Sequence, residues 1–175
     1  MKRIILITGG QRSGKSAYAE QLALSLDAHP IYMATAHIWD EEFRLRVIQH
    51  QRRRGGQWEN IEEERQLSKH CIYNKVCVID CLTLWYTNFF YGDGKNTAEE
   101  IDVPGVLRNL KDEFDRFTQQ EATFIFVTNE IGSGGVSDHL LQRKFTDLEG
   151  WMNQYVAQRA DEVILMVAGI PVKIK

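Results

Sequence analysis

Gly9-Gly10-Gln11-Arg12-Ser13-Gly14-Lys15-Ser16 fits the pattern G-x-x-x-x-G-K-[ST] without exception. The glycines let backbone N–H groups converge on phosphate oxygens, and the N-terminus of a following helix adds positive potential. The lysine of the pattern reaches the β and γ phosphates of a nucleotide, and the closing hydroxyl ligates Mg2+. The flanking sequence supplies the context that the pattern needs. Ile4 to Thr8 is a short apolar, β-branched run and reads as a buried strand. Ser16 to Leu26 carries Ala19, Leu22, Ala23 and Leu26 at helical spacing. Strand, glycine loop and helix together make a phosphate-binding loop, with Lys15 as its cation and Ser16 as its metal ligand.

Outward from the loop, strands alternate with helices. Pro30 to Thr35 reads as a second strand, followed by a charged helix over Asp40 to Arg54 that Gly55-Gly56 ends. Trp58 to Lys69 reads as a turn plus a helix. Lys75 to Asp80 is a third buried strand, Leu82 to Tyr91 an aromatic-rich helix and Gly92 to Asn96 a loop. Pro104 suits the first position of a helix whose apolar face is Val106, Leu107, Leu110, Phe114 and Phe117. Ala122 to Thr128 is a fourth strand. Ser137 is placed to cap a long helix with Leu141, Phe145, Leu148, Met152 and Tyr155 inward. Asp161 to Ala168 is a fifth strand, and Val172 to Lys175 a short sixth. The alternation predicts an α/β fold, a mostly parallel sheet with helices on both faces.

The chain has 175 residues, which favours one domain over residues 1–175. It is 43% hydrophobic and 26% charged, which argues against disorder. A formal charge of −3 gives no general attraction for nucleic acid. The three cysteines, Cys71, Cys77 and Cys81, form no C-x-x-C pair, which argues against a zinc site or a disulfide framework. The apolar run after Met1-Lys2-Arg3 stops after four residues, too short for a signal peptide or a membrane span. A cytoplasmic protein is expected.

Three further features carry chemistry. Asp80 ends an apolar strand, where a carboxylate organises Mg2+ opposite a phosphate loop; the alternative is a helix cap. Arg46, His50 and Arg54 recur every fourth residue and share one helix face, with Arg53 close by. Such a face is either a solvated basic surface or a phosphate site, and flanking cations keep a histidine neutral and nucleophilic. Val127-Thr128-Asn129-Glu130-Ile131-Gly132 puts polar groups at the tip of the fourth strand, either in a ligand crevice or in a capped turn. His29, His70 and His139 have no comparable setting, whereas His37 lies just after the second strand. The four tryptophans read as core or interface residues.

Taken in order, these stretches resemble one family. Thr8 to Ser16 looks like the T-G-G-x-R-S-G-K-S loop of the bifunctional adenosylcobinamide kinase / adenosylcobinamide-phosphate guanylyltransferases. Tyr32-Met33-Ala34-Thr35-Ala36 is similar to their second strand, and Arg46-Val47-Ile48-Gln49-His50 to their R-[IV]-x-x-H segment with a downstream tryptophan, here Trp58. Asp80-Cys81-Leu82-Thr83 with Asn88, Val127 to Gly132, Asn153-Gln154, Ala160 to Val163 and Gly169 to Lys173 resemble their remaining motifs. Tyr91 to Val103 carries no resemblance.

The resemblance implies a RecA-like P-loop NTPase fold and two reactions at one site. A nucleoside triphosphate, GTP or ATP, phosphorylates the aminopropanol hydroxyl of adenosylcobinamide. GTP then gives GMP to adenosylcobinamide phosphate through a guanylylated histidine, which His50 matches. Lys15 acts with it, Arg46 and Arg53 or Arg54 stabilise the α-phosphate, and Ser16 and Asp80 hold Mg2+. Ala36, His37, Ile38, Arg54, Glu62 and Asp80 line the GTP site by similarity, with Glu63 and Glu64 adjoining Glu62 in the same acidic run. A homo-oligomer, a trimer, is also implied. The readings that compete are a P-loop small-molecule kinase that never uses His50 and a nucleotide-binding switch without turnover.

Overall fold

The computed structural model describes residues 1–37, 55–92, 94 and 97–175. The helix expected over Asp40 to Arg54 lies outside them, and with it Ile38, Arg46, His50, Arg53 and Arg54; so does most of the loop expected before Thr97.

The strands are β1 (Arg3–Gly9), β2 (Ile31–Ala34), β3 (Glu59–Glu62), β4 (Val76–Asp80), β5 (Thr123–Val127), β6 (Glu162–Val167) and β7 (Ile170–Lys173). The helices among the described residues are α1 (Lys15–Leu26), α2 (Leu82–Tyr91), α3 (Val103–Phe117) and α4 (Leu140–Arg159). The strands form one sheet in the order β3-β2-β4-β5-β1-β6-β7. Every neighbouring pair is parallel except β6 with β7. No helix among the described residues is long and apolar enough to cross a membrane.

Side chains alternate across each strand, so the sheet builds two cores. On one face Ile4, Leu6, Cys77, Ile79, Phe124 and Phe126 pack with Trp85 of α2, Phe114 and Phe117 of α3, and Met152 of α4. On the other, Ile5, Ile7, Val78, Ile125 and Val127 meet Ala19 and Ala23 of α1. Both alanines are fully buried, and their small side chains let the helix of the glycine loop lie close against the strands. This explains why the central strands read as continuous apolar runs: both of their faces are covered.

The structure corrects the sequence reading in three places. Trp58 to Lys69 contains an edge strand, β3, and a single 3-10 turn, not a longer helix. Glu59-Asn60-Ile61-Glu62 is acidic and mostly exposed, so no alternation betrays it; parallel pairing with β2 makes it a strand. The last helix begins at Leu140, and Ser137 does not cap it. The Ser137 hydroxyl oxygen instead accepts the His139 N–H at 3.1 Å in the preceding turn. The final strand starts at Ile170 and folds back on β6 through Ala168-Gly169, both with positive φ (49° and 82°). That two-residue turn twists with the strands it joins.

The turn after β3 is held by Glu63, which is only 7% exposed. Its carboxylate accepts the Arg65 and Gln66 N–H groups at 2.9 and 2.8 Å, and also meets Lys69 and His70. Burial pushes this acid up, but the Lys69 ammonium and the donors outweigh it and hold it down at about 2. Its stabilisation is therefore complete above the ordinary glutamate range and is lost as pH falls toward 2. Glu63→Gln is expected to lower the unfolding free energy by about 2 kcal/mol at pH 7, with a smaller loss at pH 3. Urea titrations at the two pH values check this, and an equal loss at both would contradict it.

Candidate active site

Two glycines and one hairpin shape the loop between β1 and α1. Gly9 has φ 149° and Gly14 φ 96°. A Cβ at Gly9 would lie 2.5 Å from the Met166 carbonyl oxygen and 2.9 Å from Ser13 Oγ. A Cβ at Gly14 would come within 3.3 Å of the Cα of Gly169. The Gly169 N–H donates to the Ser13 carbonyl at 3.0 Å, so the β6–β7 turn pins the loop from outside. Gly9→Ala is expected to cost roughly 2–4 kcal/mol, because a backbone carbonyl has to move and the φ is strained for any side chain. Urea unfolding checks it, and a loss under about 0.5 kcal/mol would contradict the contact.

Lys15 opens α1 and is 7% exposed, with Nζ donating to the Gly10 carbonyl at 2.6 Å. Burial lowers its pKa, while Cys81, Asp80 and Glu149 oppose that shift. Asp80 ends β4, and Tyr32 donates its hydroxyl to Asp80 Oδ2 at 2.5 Å, fixing the carboxylate at the strand tip. Ser16 follows Lys15 in the first turn of α1. Hydroxyl and carboxylate are the hard oxygen donors that suit Mg2+.

Next to Asp80, Asn88 ties three segments together. Its amide donates to the Thr35 carbonyl at 2.7 Å and to the Glu64 carbonyl at 2.8 Å. Thr35 in turn donates to the Cys81 carbonyl at 2.8 Å. This clamp sets Ala36 and His37 just beyond the β2 tip, where His37 Nδ1 lies 2.8 Å from Glu64 Oε1. Glu62 ends β3 on the exposed side, Glu63 turns inward and Glu64 faces His37. A cavity of about 620 Å3 opens here, lined by His37, Glu64, Arg65, Lys69 and Asn88 among others.

At the β5 tip, Thr128 donates to Asn153 Oδ1 at 2.9 Å, and Asn153 donates to the Asn129 carbonyl at 3.1 Å. The Asn129 N–H donates to Thr83 Oγ1 at 3.0 Å, and Thr83 donates to Glu149 Oε1 at 2.6 Å. The Glu130 N–H reaches the Gly9 carbonyl at 3.1 Å, which joins this tip to the phosphate loop. Glu149 is 1% exposed, and burial pushes its carboxyl up to about 7, against the hydrogen bond from Thr83.

Lys15, Ser16, Asp80, Asn129 and Glu130 thus lie at or just beyond the tips of β1, β4 and β5, while His37 and Glu62 stand at the β2 and β3 tips. Trp58 and Trp85 are buried in the core, and Trp151 is exposed on α4. Tyr32, Thr83 and Glu149 were not singled out for this site from sequence. Glu149 had one signal: it falls four residues after Phe145 and three before Met152, a charged residue on an apolar stripe.

Comparison with known proteins agrees with this geometry. Residues 5–174 match the family described as cobinamide kinase / cobinamide phosphate guanyltransferase. The bifunctional adenosylcobalamin biosynthesis protein CobU of Salmonella typhimurium is 37% identical over 98% of this chain and 99% of its own length. Its counterpart CobP of Pseudomonas aeruginosa is 34% identical over 97% of this chain and 96% of its own. Among solved structures, a prototypical ATPase from a bacterial type III secretion system superposes with a TM-score of 0.57 at 13% identity. That likeness covers 94% of this chain and 52% of the ATPase, and it shows the P-loop α/β fold alone. Glycine loop, strand-tip carboxylate and near full-length identity agree, and the chain belongs to the cobinamide kinase / cobinamide phosphate guanyltransferase family.

Proposed function

We propose that this chain, as one catalytic domain over residues 1–175, phosphorylates adenosylcobinamide on its aminopropanol hydroxyl and then transfers GMP from GTP to adenosylcobinamide phosphate. The product is adenosylcobinamide-GDP, and the enzyme acts in the cytoplasm as a homotrimer. The observation that carries this reading is the approach of Lys15, beyond the β1 tip, to Asp80, at the β4 tip one strand away across β5, in a chain that matches the family from residue 5 to 174.

In the first step GTP or ATP is held by the amides of Gly9 to Ser16, with Lys15 on the β and γ phosphates. Phosphoryl transfer needs mainly position and charge neutralisation, and this loop supplies both. Ser16 and Asp80 have the chemistry to hold Mg2+, which when bound neutralises charge on the phosphates. In the second step His50 attacks the α-phosphorus of GTP in line. A P–N bond forms, the α–β phosphoanhydride breaks, and Lys15 with the loop amides stabilises the pyrophosphate that leaves. Arg46 and Arg53 or Arg54 neutralise the α-phosphate. The cobinamide phosphate oxygen then attacks the guanylylated histidine and regenerates His50. Ala36, His37, Ile38 and Glu62 complete the GTP site in this reading.

Incubation with adenosylcobinamide, GTP and Mg2+, followed by mass spectrometry, tests the proposal. The expected products are adenosylcobinamide phosphate, then adenosylcobinamide-GDP with one pyrophosphate per GMP transferred. Phosphate ester alone would leave a small-molecule kinase; GTP binding without either product would remove the enzymatic reading.

A further inference from the structure

Two of the buried glutamates, Glu63 and Glu149, have opposite surroundings. Glu63 collects several donors and is held as an anion at about 2, as a structural acid should be. Glu149 is buried more deeply; among the described residues its Oε1 accepts one hydrogen bond, from Thr83, and its Oε2 has no hydrogen-bond partner. Burial pushes it up to about 7, so it changes charge near neutrality. Lys15 from α1, Glu130 beyond β5, and Cys81 and Tyr86 at the start of and within α2 are the ionisable groups that share its surroundings.

The Thr83 hydroxyl that meets Glu149 also bonds to the β5 tip. Thr83 is half-buried in the first turn of α2, three residues beyond Asp80. Its oxygen donates to Glu149 and accepts the Asn129 N–H from the β5 tip. A hydroxyl with one donated and one accepted bond keeps one lone pair. Asp80 Oδ2 accepts the Tyr32 hydroxyl, and the function proposed above assigns Asp80 to Mg2+, so the phosphorylation step calls for another proton acceptor.

We propose that Thr83 and Glu149 form the proton-accepting end of the phosphorylation step, with Thr83 touching the acceptor hydroxyl and Glu149 acting through it. The acceptor oxygen bonds to the γ-phosphorus as the bond from that phosphorus to the β-phosphate oxygen breaks. The proton of the acceptor hydroxyl passes to Thr83 Oγ1, and the proton of Thr83 passes to Glu149 Oε1. Glu149 begins as a carboxylate and ends as a neutral acid, which returns its proton to water by the reverse path. Thr83 is the catalytic residue, and Glu149 is a positioning residue that stores the proton. The inference rests on the kinase activity proposed above and deepens it.

Glu149→Gln keeps the volume and an acceptor for Thr83 but cannot take the proton. Its kinase kcat is expected to fall roughly 100-fold, with KM for nucleotide changed less than about threefold. The acidic limb of the wild-type kcat–pH profile, where activity falls as Glu149 is protonated near pH 7, should disappear. Thr83→Val should show the same loss, the double variant no more than either single one, and Thr83→Ser should restore the limb. A structural role would instead lower thermal stability and nucleotide affinity and leave the limb in place, and that result would overturn the relay. So would a Glu149→Gln enzyme with wild-type kcat. A wild-type enzyme that fails to phosphorylate adenosylcobinamide at all would overturn the underlying kinase reading, and the relay with it.

Discussion

Lys15→Ala is expected to lower the kinase step and guanylyl transfer together, each by roughly 10²–10³-fold. Both reactions move charge onto phosphate oxygens seated over the same loop, so one missing cation weakens both. The side chain is 7% exposed and its Nζ rests 2.6 Å from the Gly10 carbonyl, so the ammonium is held inside the cradle before any phosphate arrives. Burial works against its charge, and Asp80 and Glu149 are among the groups that help to keep it. Arginine is not an equivalent, since its planar head is larger than this buried site and donates along fixed directions. Steady-state rates for the two half-reactions check the prediction. Loss of one activity with the other intact would mean that the two reactions do not share the loop.

His50→Ala is expected to separate what Lys15→Ala joins. Guanylyl transfer should fall by roughly 10⁴-fold or more, as when a covalent nucleophile is removed. Phosphorylation of adenosylcobinamide should stay within about tenfold of wild type, because that step needs the loop and not an imidazole. The argument comes from sequence: Arg46 and Arg54 flank His50 at four-residue spacing, and guanidinium groups there favour a neutral ring and a charged adduct. Arg46→Ala should therefore slow transfer without abolishing it. Equal loss of both activities in His50→Ala, with the fold intact, would reduce His50 to a positioning role.

The parts of the molecule that were readable from sequence are those where local pattern and tertiary fold agree. The β1–loop–α1 unit combines a buried run, glycines with positive φ at Gly9 and Gly14, and a small-residue helix face; each signal is local. Asp80 was readable because its strand is buried on both faces and then ends in a charge. The edge strand β3 was not readable, because its hydrogen bonds come from β2 and its side chains face solvent. Ser137 shows the same limit at a helix end: its hydroxyl is taken by the turn before the helix, which starts only at Leu140. The polar clamps at the strand tips join Thr35 to Asn88 and Thr83 to Glu149, residues 53 and 66 positions apart. Pattern and spacing cannot pair such positions, so the Thr83–Glu149 hydrogen bond and the burial of Glu149 emerge only once α2 and α4 are packed on the sheet.

The central claim is that one site both phosphorylates and guanylylates, the latter through a histidine. Purified protein incubated with Mg2+ and [α-32P]GTP, then denatured, tests it most directly. The account predicts a protein-bound label that is acid-labile and base-stable, as a phosphoramidate is, and that is absent from His50→Ala. A wild-type protein that takes up no label, or a label that persists in His50→Ala, would contradict it.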